Sequence, residues 1–75
     1  MEVEILSPDK KIYQGKTDKI ILPGVEGQFQ ILQNHANIFA LLTKGDIVIG
    51  KEKKIFIVSG ILEFSNNKAL ILVGK

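Results

Sequence analysis

His35 is the only histidine in this 75-residue chain, so proton transfer near neutral pH would depend on it. A hydrolytic triad would combine it with one of three serines and one of three aspartates: Ser7, Ser59, Ser65, Asp9, Asp18 and Asp46. The nucleophile elbow of α/β-hydrolases reads Gly-x-Ser-x-Gly, and no serine of this chain stands in that motif. The residue spacing therefore predicts no hydrolase.

Metal and phosphate chemistry have no better support in the sequence. One histidine without any cysteine cannot complete a zinc shell. Glu26, Glu52 and Glu63 are isolated, whereas acid–base catalysis by carboxylates uses paired groups. The segment 24–27 is glycine-rich but lacks the lysine of a Walker loop. We predict no catalytic residue, no metal and no cofactor, and the chain is not expected to be an enzyme by itself.

Composition narrows the class of protein further. The apolar share of 45% is enough for one compact core, and the net charge of +2 rests on lysines alone, because arginine is absent. Arginine is the preferred residue for forked recognition of phosphates, so the basic balance indicates nucleic-acid binding only weakly. The longest apolar runs, Ile38–Leu42 and 69–73, are far shorter than the ~20 residues of a membrane helix. The absence of cysteine and of a secretory signal predicts a soluble cytoplasmic domain.

Turn-forming residues recur at short intervals and predict many short strands. The predicted strands lie at 2–6, 12–15, 20–22, 29–32, 38–42, 47–49, 55–59, 61–64 and 69–73. The run 38–42 is also compatible with one helical turn. The fold class predicted is all-β: residues 1–75 form one domain, a flattened antiparallel β-sandwich or barrel of about eight to ten short strands.

Two loops stand out within this pattern. Pro23-Gly24 predicts a tight turn, since proline presets its own φ and glycine accepts the positive φ that follows. The run 28–31 then alternates glutamine with a large apolar residue, as a half-buried strand does. His35 follows in a polar bend, where it is either a solvated loop residue or an interface residue. Asn66-Asn67 suits a tight hairpin, because asparagine tolerates left-handed geometry.

Two strands are apolar on both faces, which a strand with one solvated face should not be. In 55–58, isoleucine alternates with Phe56 and Val58, and in 69–73 Leu70 and Leu72 oppose three other apolar residues. Either a partner covers the outer side, or the sheet curls so tightly that neighbouring loops cover it. Because the chain has no helix to do the covering, we expect a partner.

The alternative function is an OB-like barrel that binds nucleic acid, which needs aromatic side chains free to stack on bases. Phe29, Phe39 and Phe64 lie in strand patterns that predict the core. Tyr13 and Phe56 remain for stacking, which is too few for a strong prediction.

Several segments appear in the order and at the distances typical of one family: Ser7-Pro8-Asp9, Tyr13-x-Gly15, Leu22-Pro23-Gly24-x-x-Gly27-x-Phe29-x-Ile31-Leu32, His35-Ala36, Lys44-Gly45, and Val58-Ser59-Gly60 with Glu63 and Asn67. Together they resemble the amino-terminal domain of the epsilon subunit of bacterial F-type ATP synthases, called delta in mitochondria. The resemblance covers nearly the whole chain. It implies a flattened β-sandwich and a non-catalytic rotor subunit of the central stalk.

The resemblance also implies partners and a place in the cell. The family's domain binds the gamma subunit and the polar loops of the c-ring, and so helps to couple proton- or sodium-driven rotation to ATP synthesis. It is peripheral, at the cytoplasmic face of the bacterial inner membrane, without insertion into it. Carried over by position, the roles are c-ring contact for Glu26, Gly27 and Gln28, gamma contact for Ser7 and His35, and turn formation for Pro23, Gly24 and Gly60.

Two departures from the family pattern affect what is expected. Where the family commonly has Gly-His-Ala-Pro, this chain has Asn34-His35-Ala36-Asn37; Asn34 can adopt the left-handed φ of glycine, whereas Asn37 loses the stiffness of proline. Most bacterial members continue into two carboxy-terminal helices that restrain ATP hydrolysis. The 75 residues contain no such helices, so a role limited to assembly and coupling is expected.

Overall fold

Residues 1–74, the part of the chain that the computed structural model describes, form nine β-strands and no helix. The strands are β1 (Glu2–Leu6), β2 (Lys11–Lys16), β3 (Lys19–Gly24), β4 (Gly27–Leu32), β5 (Ile38–Leu42), β6 (Gly45–Ile49), β7 (Lys53–Ile57), β8 (Gly60–Ser65) and β9 (Lys68–Val73). The prediction of eight to ten short strands is confirmed, and the run 38–42 is a strand. No helix among the described residues has the length and hydropathy needed to span a membrane.

The strands follow one path, β2-β1-β9-β8-β5-β3-β6-β7, with β4 paired to β3. Among the described strands, β1 and β9 are parallel and every other pair is antiparallel. A single residue pair, Gly24 with Leu42, joins β3 to β5, so the sheet bends there into two leaves, β2-β1-β9-β8-β5 and β4-β3-β6-β7. The ammonium group of Lys53 on β7 lies 5.8 Å from the ring centre of Tyr13 on β2, so the outermost strands approach each other.

The concave side of this curled sheet encloses the core. Strands alternate buried and exposed residues, as β9 does with Ala69, Ile71 and Val73 inside. The largest fully buried side chains are Phe64, Ile5, Ile20, Leu22, Ile31, Ile47, Leu62, Ile71 and Val3. This arrangement buries one face of every strand except β2, whose inner residues are only half-buried, and leaves the convex side to solvent.

The three phenylalanines predicted to be core residues have different environments. Phe64 is 1% exposed, and Phe29 is partly buried against the core, so both predictions are confirmed. The prediction for Phe39 is wrong, because this side chain is 67% exposed. In β5 the inner positions belong to the even-numbered residues, with Leu42 buried and Ala40 half-buried. Side chains alternate along a strand, so Phe39 must point outward.

The predicted Pro23-Gly24 turn is wrong in its position. Pro23 and Gly24 are the last two residues of β3, the turn residues are Val25 and Glu26, and the positive φ (123°) belongs to Gly27. Proline is tolerated in β3 because it lies where the strand changes neighbour, between the pairs with β6 and the single pair with β5. Gly24 is required for close packing, since a Cβ there would lie 2.7 Å from the Gly27 carbonyl oxygen.

The asparagine predictions are confirmed. Asn34, Asn66 and Asn67 have φ values of 61°, 51° and 57°, all in the left-handed region. Gly60 directly follows the bend at residues 58–59 and opens β8, where a Cβ would lie 2.9 Å from the Leu72 carbonyl oxygen. These residues set the shapes of the loops that connect the strands.

Candidate interaction surface

His35 lies exposed in the loop between β4 and β5. Its Nδ1 donates a hydrogen bond to the neighbouring carbonyl oxygen of Ala36 at 2.7 Å. Its ring meets the buried ring of Phe64 edge to face, with centroids 6.2 Å apart. A catalytic histidine is instead oriented by a carboxylate and bonded to a nucleophile. The contacts of His35 hold the loop against the core and form no triad.

The loop that carries His35 is anchored to the turn between β8 and β9. The backbone N–H of Asn34 donates to Oδ1 of Asn67 at 2.8 Å. Asn67 in turn accepts from the Glu2 N–H at 3.2 Å through its backbone carbonyl. The His35 loop therefore lies at the end of the sheet where β1 and β9 begin.

Ser7 lies at the opposite end of the same leaf. It follows Leu6, the last residue of β1, and its Oγ and backbone N–H bond within the local turn to the Lys10 backbone. The five residues of β1 separate it from the His35 end, a length of about 16 Å at 3.3 Å per residue. The structure does not bring together the two residues predicted to contact gamma.

The turn that includes Glu26 is exposed and braced. Glu26, Gly27 and Gln28 are all solvent-exposed. The Val25 N–H donates to the Leu41 carbonyl at 3.0 Å, and the Thr43 N–H donates to the Pro23 carbonyl at 2.8 Å. The hairpin and β5 flank an open groove of about 560 Å³. The three residues predicted to contact the c-ring thus lie together in one exposed hairpin whose base is bonded to β5 and to the β5–β6 turn.

Four strands share a convex surface that we call the outer face: Leu6, Phe39, Leu41, Ile61, Glu63, Leu70 and Leu72. Leu41, Ile61, Leu72 and Leu6 are cross-strand neighbours in one row across β5, β8, β9 and β1. Phe39, Glu63 and Leu70 form the next row. Exposed fractions in these rows include 67% for Phe39, 55% for Leu41 and 45% for Leu72. Such a contiguous apolar surface is typical of an interaction site.

The other leaf has a smaller apolar surface. Phe56 and Val58 are 60% and 50% exposed, but the cross-strand neighbour of Phe56 is Asp46. Loops of the described chain therefore do not cover Phe56, Val58 or Leu72. Leu70, on the same side of β9 as Leu72, is half-buried. That a partner covers them stays a prediction.

The contribution of β5 and β8 to the outer face is not among the features predicted from the sequence. The same signal was present there as in β9, because Phe39 and Leu41 alternate with apolar residues in β5 and Ile61 stands beside buried Leu62 in β8. Because the strand pattern assigns Phe39 to the core, it does not reveal that the outer side of β5 is exposed.

The exposed phenylalanines do not form a nucleic-acid platform. Phe39 and Phe56 lie on different leaves, and each has a carboxylate as its cross-strand neighbour, Glu63 and Asp46 respectively. Tyr13 is half-buried with Lys53 over its ring. Carboxylates beside a stacking ring repel phosphates, so this arrangement is unfavourable for single-stranded nucleic acid. Within residues 1–74, no three histidine or acidic side chains are grouped so as to hold a metal ion.

Comparison with known proteins identifies the family. The family model described as ATP synthase, delta/epsilon chain, β-sandwich domain matches residues 1–75. The chain is 40% identical over 75 residues to the ATP synthase epsilon chain of Leptospira interrogans (strain Fiocruz L1-130), with 96% of this chain and 59% of that one covered. It is 38% identical over 77 residues to that of Sulfurimonas denitrificans, with 97% and 59% covered. The chain thus spans less than two thirds of the length of these relatives.

Solved structures share the fold. A chain in the Euglena gracilis mitochondrial ATP synthase (OSCP/F1/c-ring) superposes with a TM-score of 0.85 at 20% identity, over 97% of this chain and 49% of that one. A chain in the Tetrahymena thermophila mitochondrial ATP synthase central stalk and c-ring gives 0.77 at 19% identity, over 99% and 63%. The match of the family model to residues 1–75, with the identities to the bacterial chains, places this chain in the ATP synthase delta/epsilon β-sandwich family.

Proposed function

We propose that residues 1–75 act as one domain in the central stalk of an F-type ATP synthase. In this role the domain is a non-catalytic rotor part that binds the gamma subunit and the c-ring. It couples ion-driven rotation to ATP synthesis or hydrolysis in a hetero-oligomeric complex. Its place is peripheral, at the cytoplasmic face of a bacterial plasma membrane. Family membership supports the stalk role, and the two named relatives are bacterial.

The observation that carries the gamma contact is the uncovered outer face. Its row from Leu41 to Leu6 presents apolar side chains on four adjacent strands, and each of the three strand pairs extends over five or more residues. Four of the nine exposed large hydrophobic side chains among residues 1–74 lie on this face, and burying apolar area contributes about 25 cal/mol per Å² to binding. Ser7 and His35 mark its two ends, and a partner that touches both must lie along the strands.

The contact proposed for the c-ring is the exposed turn at Glu26, Gly27 and Gln28. Support comes from the bracing of its base: Val25 and Pro23 form backbone hydrogen bonds to β5 and to the β5–β6 turn. A contact that transmits torque must keep its shape under load, because a flexible loop would absorb the applied strain. The turn lies beside the Leu41 end of the outer face and away from the His35 loop, so the two proposed contacts adjoin along β5.

Binding to purified gamma subunit tests the proposal. We expect the wild-type domain to form a stable complex by isothermal titration calorimetry, and Leu72→Asp to weaken it at least about tenfold, since an unpaired carboxylate would be buried. Phe56→Asp, the same kind of change on the other leaf, is the matched control and should bind within about twofold of wild type. Leu72 and Phe56 are 45% and 60% exposed, so both variants should fold, as far-UV circular dichroism would check. No complex with the wild-type domain would refute the proposal.

A further inference from the structure

Glu63 is the single charged residue among the seven that make up the outer face. Its cross-strand neighbours on β5 and β9 are Phe39 and Leu70, and Ile61 precedes it on the same side of β8. The carboxylate is solvent-exposed and stands between apolar side chains on both sides. Any protein that covers this face must also cover Glu63.

Glu4 provides an internal comparison. It continues the same row beyond Leu70 and lies within 3.4 Å of the Lys11 ammonium and 3.5 Å of the Lys68 ammonium. The fold therefore supplies two cations to one carboxylate of the row. Glu63 has no ion pair within residues 1–74. Within the described residues its exposed carboxylate is open to water.

Docking would remove that water. A carboxylate that is taken out of water without a partner carries a large desolvation penalty, whereas a paired and hydrogen-bonded one does not. Apolar side chains around a charge make the penalty larger, because the local dielectric falls when the face is covered. A partner made of apolar side chains alone would therefore bind this face poorly.

We propose that Glu63 selects the docking partner through a lysine or arginine that the partner places against it. Since this inference rests on the proposed function, the partner is the gamma subunit, which would present an apolar surface with one basic side chain opposite β8. A guanidinium would fit best, because it donates two parallel hydrogen bonds to one carboxylate. The apolar rows supply the buried area, and Glu63 fixes the register and excludes surfaces without the cation.

The test is calorimetric titration of the purified gamma subunit into three forms of the domain: wild type, Glu63→Gln and Glu52→Gln. Glu63→Gln keeps the shape of the side chain but leaves the partner's cation buried without a counter-charge. We expect it to weaken the complex at least about tenfold. Glu52→Gln removes the same charge from the exposed turn between β6 and β7 and should bind within about twofold of wild type.

Each outcome distinguishes the inference from the function on which it rests. If the wild type binds and only Glu63→Gln is weakened, the inference is supported. If Glu63→Gln binds as tightly as the wild type, or more tightly, the inference is overturned while the proposed function stands. A wild-type domain that does not bind gamma refutes the proposed function, and the inference falls with it. Equal Tm values for all three forms would show that differences in gamma binding do not come from differences in folding.

Discussion

Truncating two phenylalanines to alanine tests the assignment of the inner and outer faces. Phe64 is 1% exposed, and Phe→Ala at a fully buried position costs about 3–5 kcal/mol. Phe39 is 67% exposed, so only a third of its side chain is buried. With about 1.5–3 kcal/mol for burying a whole large apolar side chain, Phe39→Ala should cost about 0.5–1 kcal/mol. The same chemical change therefore differs several-fold in its effect on the free energy of unfolding.

These magnitudes are large compared with the stability of a chain of this size. At about 0.05–0.15 kcal/mol per residue, 75 residues give a free energy of unfolding of about 4–11 kcal/mol. Phe64→Ala should therefore remove a large part of the stability and lower Tm by more than about 10 °C, whereas Phe39→Ala should lower it by about 2–8 °C.

Urea unfolding followed by far-UV circular dichroism measures both effects, since the chain has no tryptophan to serve as a fluorescent probe. The slope of the free energy against urea should be the same for both variants, because neither changes the fold. Equal losses for Phe39→Ala and Phe64→Ala would show that Phe39 is a core residue and that the outer face does not exist as described.

Two further predictions concern the loops and use the same unfolding assay. Gly24→Ala should cost about 1–3 kcal/mol, because its Cβ would lie 2.7 Å from the Gly27 carbonyl oxygen and 2.8 Å from the Phe29 ring, and backbone cannot move aside as a flexible side chain can. A loss below about 0.5 kcal/mol would contradict the close approach. Asn67→Gly should cost about 0.5–1.5 kcal/mol through the lost hydrogen bond to the Asn34 N–H, and Asn67→Ala about 1 kcal/mol more, because alanine is strained at a φ of 57°. Equal losses for the two Asn67 variants would show that backbone conformation is not the cause.

Much of the fold could be predicted because the signals are local. Alternation of apolar and polar residues in runs such as 28–31 depends on the two-residue period of a strand, which the chain carries wherever it folds. Left-handed φ at Asn34 and Asn67 depends on the side chain of the residue itself. The family resemblance rests on motifs of the same kind, and it led to the family that the comparisons identify.

Other features could not be predicted because they depend on which strands become neighbours. The Pro23-Gly24 pair has the composition of a turn, yet β3 continues through it, since both residues pair with β4 and Gly24 also pairs with Leu42 of β5. The arrangement of the candidate site also depends on which strands become neighbours. Ser7 and His35 are separated by the length of β1, and their spacing in the sequence does not predict this distance.

Local sequence patterns are enough to predict a chain of short strands with one turn-rich motif and to place it in a family. Only the packing of the strands shows which side of β5 and β8 faces the core. It follows from this packing that Phe39 is exposed and that Glu63 has apolar cross-strand neighbours. Both sides of these strands carry apolar residues, so the alternation of apolar and polar residues does not predict which side faces the core. The choice follows from the curl of the whole sheet, which gives each strand one concave side with room for a limited number of side chains.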